Sequence, residues 1–205
     1  MSTTNPNRVS SWDQIGIWIF IAVAALLVGG SAWLSGMRVA DLLGPDPYDI
    51  QVGLIGSTAN VSSGSDGASI PVSLETARIQ VPTLPTASLV AGILEPIVTT
   101  LTVAGIAVLL TLLASSILRG RIFSKRNTLL VVTAGTIAMV GFPLAGLFQT
   151  MLANGALAVA THGALDNSPI TFSPTPIILI AFAVGVFGTA FTIGERLQRE
   201  TEGLV

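Results

Sequence analysis

The chain has no cysteine and one histidine. The first absence excludes disulfides, thiolate metal sites and cysteine nucleophiles. The second leaves His162 without the clustered partners a metal site needs, so it reads as a loop histidine. Charge is scarce too: 10% of residues are charged, against roughly 25% in an average soluble domain. With a net charge of −2, no basic field is available to hold nucleic acid, which argues against direct nucleic-acid binding. No G-x-x-x-x-G-K-S/T, G-x-G-x-x-G or H-E-x-x-H pattern occurs. No Ser/His/Asp set can be nominated either. No catalytic residue, cofactor or metal ligand is therefore assigned, and the chain reads as non-enzymatic.

What the chain has instead is apolar length. Hydrophobic residues make up 51% and mean hydropathy is +0.78. Four runs, Ile15 to Leu34, Leu89 to Leu118, Thr128 to Ala153 and Pro176 to Gly194, approach or exceed the ~20 residues that cross a bilayer core. The expected fold class is an all-α membrane protein. It has four transmembrane helices and a small extracytoplasmic β-hairpin or sheet between the first and second. The first run is longer than the ~7–15 residues of a signal-peptide core, and its flank is not strongly basic, so it reads as a retained anchor.

Basic residues orient the helices. Arg8, Arg119, Arg121, Lys125, Arg126, Arg196 and Arg199 fall on one side; Arg38 and Arg78 fall on the other. Positive loops stay cytoplasmic, so both termini are expected inside a cell membrane. The segments are 1–14 (cytoplasmic), 15–36 (helix), 37–88 (outer, with strands), 89–118 (helix) and 119–127 (basic inner loop). Then come 128–153 (helix), 154–175 (outer loop), 176–194 (helix) and 195–205 (cytoplasmic tail). Trp12 and Trp18 near the inner end of the first helix, and Trp33 near its outer end, suit the two interfaces.

In the outer segment, Gly44-Pro45-Asp46-Pro47 breaks the chain. Tyr48, Ile50, Val52 and Leu54 then alternate with polar residues and Gly53, as a strand with one apolar face does. Ser62 to Gly67 reads as a turn. Ile70, Val72 and Leu74 alternate again, and Ala77, Ile79 and Val81 do so in the opposite phase. The slip near Glu75-Thr76 predicts a bulge or a change of partner. A sheet of two or three strands results. A lone hairpin is marginal in water, so this one should lean on helix ends or on another protein. In the second outer loop, Ala156–Thr161 reads as partly helical. Pro176 suits the first turn of the last helix.

Inside the apolar runs the one ionisable residue is Glu95, followed by Pro96. It reads either as a carboxylate favoured near a helix N-terminus or as a transport site facing the bundle. Gln149 is the other candidate transport residue. Thr99, Thr100 and Thr102 read as interhelical hydrogen-bond partners. Ala25/Gly29, Gly141/Ala145, Gly185/Thr189 and Gly188/Thr192 place small residues four apart, which suits close helix packing or a homo-oligomer. Pro143 should kink the third helix.

Two polar stretches stand out. Arg119-Gly-Arg-Ile-Phe-Ser-Lys-Arg-Asn127 holds a G-x-x-F-S/T-x-x-N element, and the tail from Gly194 holds G-x-x-L-x-x-D/E. Ser124 is an N-cap for the third helix. Arg119 and Arg121 complement the dipole of the second, and the loop's cations can meet anionic lipid heads. With four helices in this order, the two stretches resemble the uncharacterised bacterial membrane family DUF2975, in the form of an actinobacterial-type member. The resemblance spans roughly the second to fourth helices and the tail. It implies a fold, a membrane location and no established activity. It also implies a partnership with a small helix-turn-helix regulator at the inner face.

On that basis Gly120 permits the exit from the second helix and Phe123 anchors the loop in the interface. Ser124 and Asn127 cap the third helix, Leu197 offers an apolar contact, and Arg196 pairs with Glu200. Three functions follow. The first is partner docking through Arg119, Gly120, Phe123, Ser124, Asn127, Gly194, Arg196 and Leu197. The second is a small transporter or channel component using Glu95 and Gln149. The third is an envelope sensor that uses the outer β segment.

Overall fold

A computed structural model of the chain describes residues 11–45, 47–63, 68–119, 122–164 and 174–202. The order is α1 (Ser11–Leu42), β1 (Tyr48–Ser63), β2 (Ala68–Val81), α2 (Thr86–Leu118), α3 (Lys125–Ala160) and α4 (Pro174–Glu202). Among these residues, four helices hold stretches long and apolar enough to cross a membrane: Gln14–Leu42, Thr86–Leu118, Lys125–Ala160 and Ile177–Leu197. By length and composition they fit a multi-pass membrane protein. Of the turn expected at Ser62–Gly67, Ser62 and Ser63 belong to β1, and 64–67, like Gly120, Arg121 and the loop 165–173, lie outside the described residues.

The helices outrun the apolar stretches that announce them. α1 continues past Gly36 to Leu42, because no strong breaker precedes Gly44-Pro45. α3 runs on past 153 through the stretch at Ala156–Thr161 that reads as partly helical, continuous with the helix rather than separate from it, and ends at Ala160. Its end is a Schellman cap. Gly163 N–H donates to the Ala158 carbonyl at 2.8 Å, and His162 N–H donates to that of Val159 at 3.4 Å. His162 occupies the left-handed position, with φ 51°, and Gly163 follows at φ 81°. The single histidine is thus the residue that terminates α3. Left-handed backbone is uncommon outside glycine, but histidine is among the residues enriched there.

The chain folds as two compact units. The first comprises Met1–Trp33, Thr99–Phe142 and Ser173–Val205. Small residues set its helix packing. A Cβ at Gly16 would meet Leu118 at 3.5 Å, and one at Gly105 would meet Ile137 at 3.4 Å. At Gly135 and Gly141 a Cβ would overlap Val184 and Thr102. Such positions let helix backbones approach closely. Gly29 and Gly185, two of the small residues suited to helix packing or a homo-oligomer, have nothing within 4 Å of an added Cβ. Ser31 and Thr100 share a hydroxyl–hydroxyl bond of 3.3 Å between α1 and α2, as expected of the threonine cluster. Other threonines bond back into their own helices. Thr111 donates to the Ala107 carbonyl (2.7 Å) and Thr192 to that of Gly188 (2.8 Å). That satisfies the hydroxyl without a partner helix. Large side chains such as Leu26 (75% exposed) and Phe182 (70%) face outward, which suits lipid.

The second unit comprises Leu34–Val98 and Pro143–Phe172. Its sheet is one antiparallel hairpin, β1–β2. Tyr48 pairs with Val81, Ile50 with Ile79 and Val52 with Ala77, so the apolar faces coincide. The register shifts between Gly53 and Ser57, where Leu54, Ile55 and Gly56 stand against Glu75 alone. The irregularity expected at Glu75-Thr76 therefore exists, with its surplus residues on the facing strand. Glu75 and Thr76 are both exposed, which is how β2 changes phase. The apolar face packs as Ile50, Val52 and Val81 against Leu42 of α1 and Ala153, Ala156 and Leu157 of α3. Helix ends thus cover the part of the hairpin formed by 48–54 and 77–81, support that a two-stranded ribbon requires.

Candidate functional site

Where the start of the hairpin meets the helix ends of the second unit, residues 48–51 and Arg78 line an open cavity of about 750 Å³ together with α1, α2 and α3. Small-molecule sites span ~300–1,000 Å³. Alternation places Asp49 and Gln51 of β1 and Arg78 of β2 on the exposed face of the ribbon, opposite the core. α1 adds Arg38 and Asp41, one turn apart on one helix face. α2 adds Glu95, and α3 adds Gln149 and Leu152.

Two ion pairs line this space. Arg38 Nη1 donates to both oxygens of Glu95, at 3.2 and 3.0 Å. The arginine side chain is 62% exposed and the carboxylate 14%. Glu95 therefore has a cationic partner that no local pattern in the sequence supplies. Arg38 belongs to the expected outer segment and lies 57 residues away in sequence. It meets Glu95 because α1 extends beyond its apolar run. One residue on, the Pro96 carbonyl accepts a bond of 2.9 Å from the Ser35 hydroxyl, which ties α1 to α2 beside the pair. The second pair is Arg78 Nη1 to Asp49 Oδ2, 3.4 Å, across the strands on their exposed face. Among the described residues, the Asp41 carboxylate meets no cation. The cavity combines two guanidinium groups and three carboxylates, one of them unmatched.

The residues selected from the 119–127 loop and the tail assemble differently. Ser124 caps α3: its Oγ accepts from Asn127 N–H at 3.2 Å. Asn127 is fully buried and is not itself the cap. Its Nδ2 donates to the Ile122 carbonyl at 2.9 Å, folding the loop onto the helix start. Phe123, exposed enough to meet an interface, also packs within the protein. Its ring meets that of Phe191 edge-on, with centroids 6.0 Å apart. It also lies where a Cβ at Gly194 would be. The G-x-x-F and G-x-x-L elements thus meet through their own aromatic and glycine. Arg196 and Glu200 form the expected i,i+4 pair at 3.8 Å. Arg119, Arg196 and Leu197 remain exposed. Glu95 and Gln149, far apart in sequence, share the cavity.

Sequence reasoning does not find the cavity. The available signal is the pair of i,i+3 charges Arg38 and Asp41, just beyond an apolar run. Among the described residues, no group of three or more His, Cys, Asp and Glu could hold a metal ion. Compared with known proteins, the chain matches no family model, no curated protein and no solved structure.

Proposed function

We propose that this chain is a non-enzymatic binding module of a bacterial cell membrane, with both termini cytoplasmic, and that the cavity of the second unit is its ligand site. The seven-to-two distribution of basic residues supports the orientation. The observation that carries the binding role is the cavity's construction. Charged side chains from α1, α2 and both strands converge on a space of small-molecule size. The envelope-sensor reading is thereby favoured over transport, because Glu95 is engaged by Arg38 and several intramembrane threonines are engaged within their own helices. Membership of the DUF2975 family, which the two polar elements resemble, is part of this proposal.

The test is native mass spectrometry of the protein extracted from its own membranes. Gln149 is exposed and lines the cavity, so Gln149→Trp should fill it without disturbing the core. Wild type should carry a non-covalent adduct that Gln149→Trp loses. Identical spectra for the two proteins would sink the reading.

A second reading keeps a docking role for the inner face. Gly194 is covered by the Phe123 ring, whereas Phe123, Arg119, Arg196 and Leu197 are exposed and form the docking surface. A small helix-turn-helix regulator is the partner the resemblance implies. Loss of its co-purification from an Arg119→Glu, Arg196→Glu variant is the expected result; unchanged co-purification would count against docking there.

A further inference from the structure

The geometry points to a zwitterion as the cavity's ligand: a primary ammonium tethered to a phosphate, as in an ethanolamine phosphodiester. This rests on the reading of the cavity as a ligand site. Arg38 and Arg78 each bond their carboxylate through Nη1 alone. A guanidinium has five N–H donors in a planar fork. Among the described residues, the Nε and Nη2 donors of both arginines are uncommitted, and both side chains are mostly exposed, at 62% and 76%. Both line the cavity, so their remaining donors are available to an anionic group bound there.

Among the described residues that line the cavity, Glu95 and Asp49 balance the two arginines, and Asp41 adds one net negative charge. A simple dianion would satisfy the forks and be repelled by Asp41. A simple amine would satisfy Asp41 and leave the forks idle. A zwitterion satisfies both, and an ammonium with N–H donors fits a carboxylate better than a quaternary one. Two sources share this chemistry: the headgroup of an ethanolamine lipid, and its soluble glycerophosphodiester. The exposed apolar side chains of Met37 and Leu34, one turn apart on α1 just before Arg38, provide a surface along which acyl chains would lie.

The experiment uses the full chain in detergent, with binding read by thermal shift and by competition in native mass spectrometry. The probes are glycerophosphoethanolamine, glycerophosphocholine and glycerol 3-phosphate, alongside nanodiscs of phosphatidylethanolamine or phosphatidylglycerol. The ethanolamine probe is expected to bind about tenfold or more tighter than the other two. Asp41→Asn should erase its advantage over the choline probe, and Arg78→Gln should weaken every phosphate probe. Binding of the diacyl ethanolamine lipid alone also supports the inference and assigns the source to the bilayer. Equal binding of all three soluble probes would overturn the zwitterion assignment while leaving the cavity a ligand site. If the native adduct proves to be another chemistry, the inference falls and the binding role stands. If Gln149→Trp also changes nothing, both fall.

Discussion

Gly194 of α4 faces the ring of Phe123 so closely that a Cβ at 194 would overlap it. Glycine at 194 is therefore a packing requirement, and the aromatic of the loop between α2 and α3 is held by α4. Gly194→Val should lower stability by about 1–3 kcal/mol, the range of overpacking. Phe123 is partly exposed, so its ring can move, and Phe123→Ala should relieve much of that cost. Thermal unfolding of the two single variants and the double variant checks this. Additive losses would show that the contact is not energetically coupled.

The Arg38–Glu95 pair is half in and half out of water, so it falls between surface pairs and buried ones. Arg38→Ala should cost about 1–3 kcal/mol by leaving Glu95 shielded and without that cation. Glu95→Gln should cost less, because the amide keeps an acceptor for the guanidinium. Melting temperatures of both variants test the order. If Glu95→Gln is the more damaging, the carboxylate is needed for something other than this pair.

His162 holds a left-handed backbone at the C-terminal cap of α3. Glycine adopts that conformation at no steric cost. His162→Gly is therefore expected to stabilise the protein by roughly 0.5–1 kcal/mol. A fall in melting temperature would mean that the imidazole makes a contact worth more than the backbone strain.

The absence of cysteine makes orientation directly measurable, because every introduced thiol is the only one. Ser73→Cys on the exposed face of β2 should react with a membrane-impermeant maleimide in intact cells. Arg196→Cys should react only after the membrane is opened. The reverse pattern would invert the orientation and place the cavity on the cytoplasmic side.

Several features are legible in the sequence because their causes are local. A run of apolar residues announces a spanning helix wherever it stands in the chain. Strict alternation from Tyr48 to Leu54 and from Ala77 to Val81 announces a two-faced ribbon, and the phase slip at Glu75-Thr76 marks where its register shifts. Ser124 caps α3, and Arg196 reaches Glu200, because both interactions span three or four residues. Helix ends are less legible. Apolar length marks where a bilayer would end, whereas α1 and α3 stop at Gly44-Pro45 and at the His162 cap.

By itself, then, the sequence determined four helices of membrane-spanning length, a hairpin and its irregularity, and the caps and pairs within single turns. Tertiary structure alone decided that Arg38 answers Glu95, that Phe123 closes on Gly194, and that five charged side chains share one cavity. The reason is that helices apolar on all sides carry no stripe to show which face meets which neighbour. Packing of small residues chooses those faces, and the chosen faces bring distant charges together.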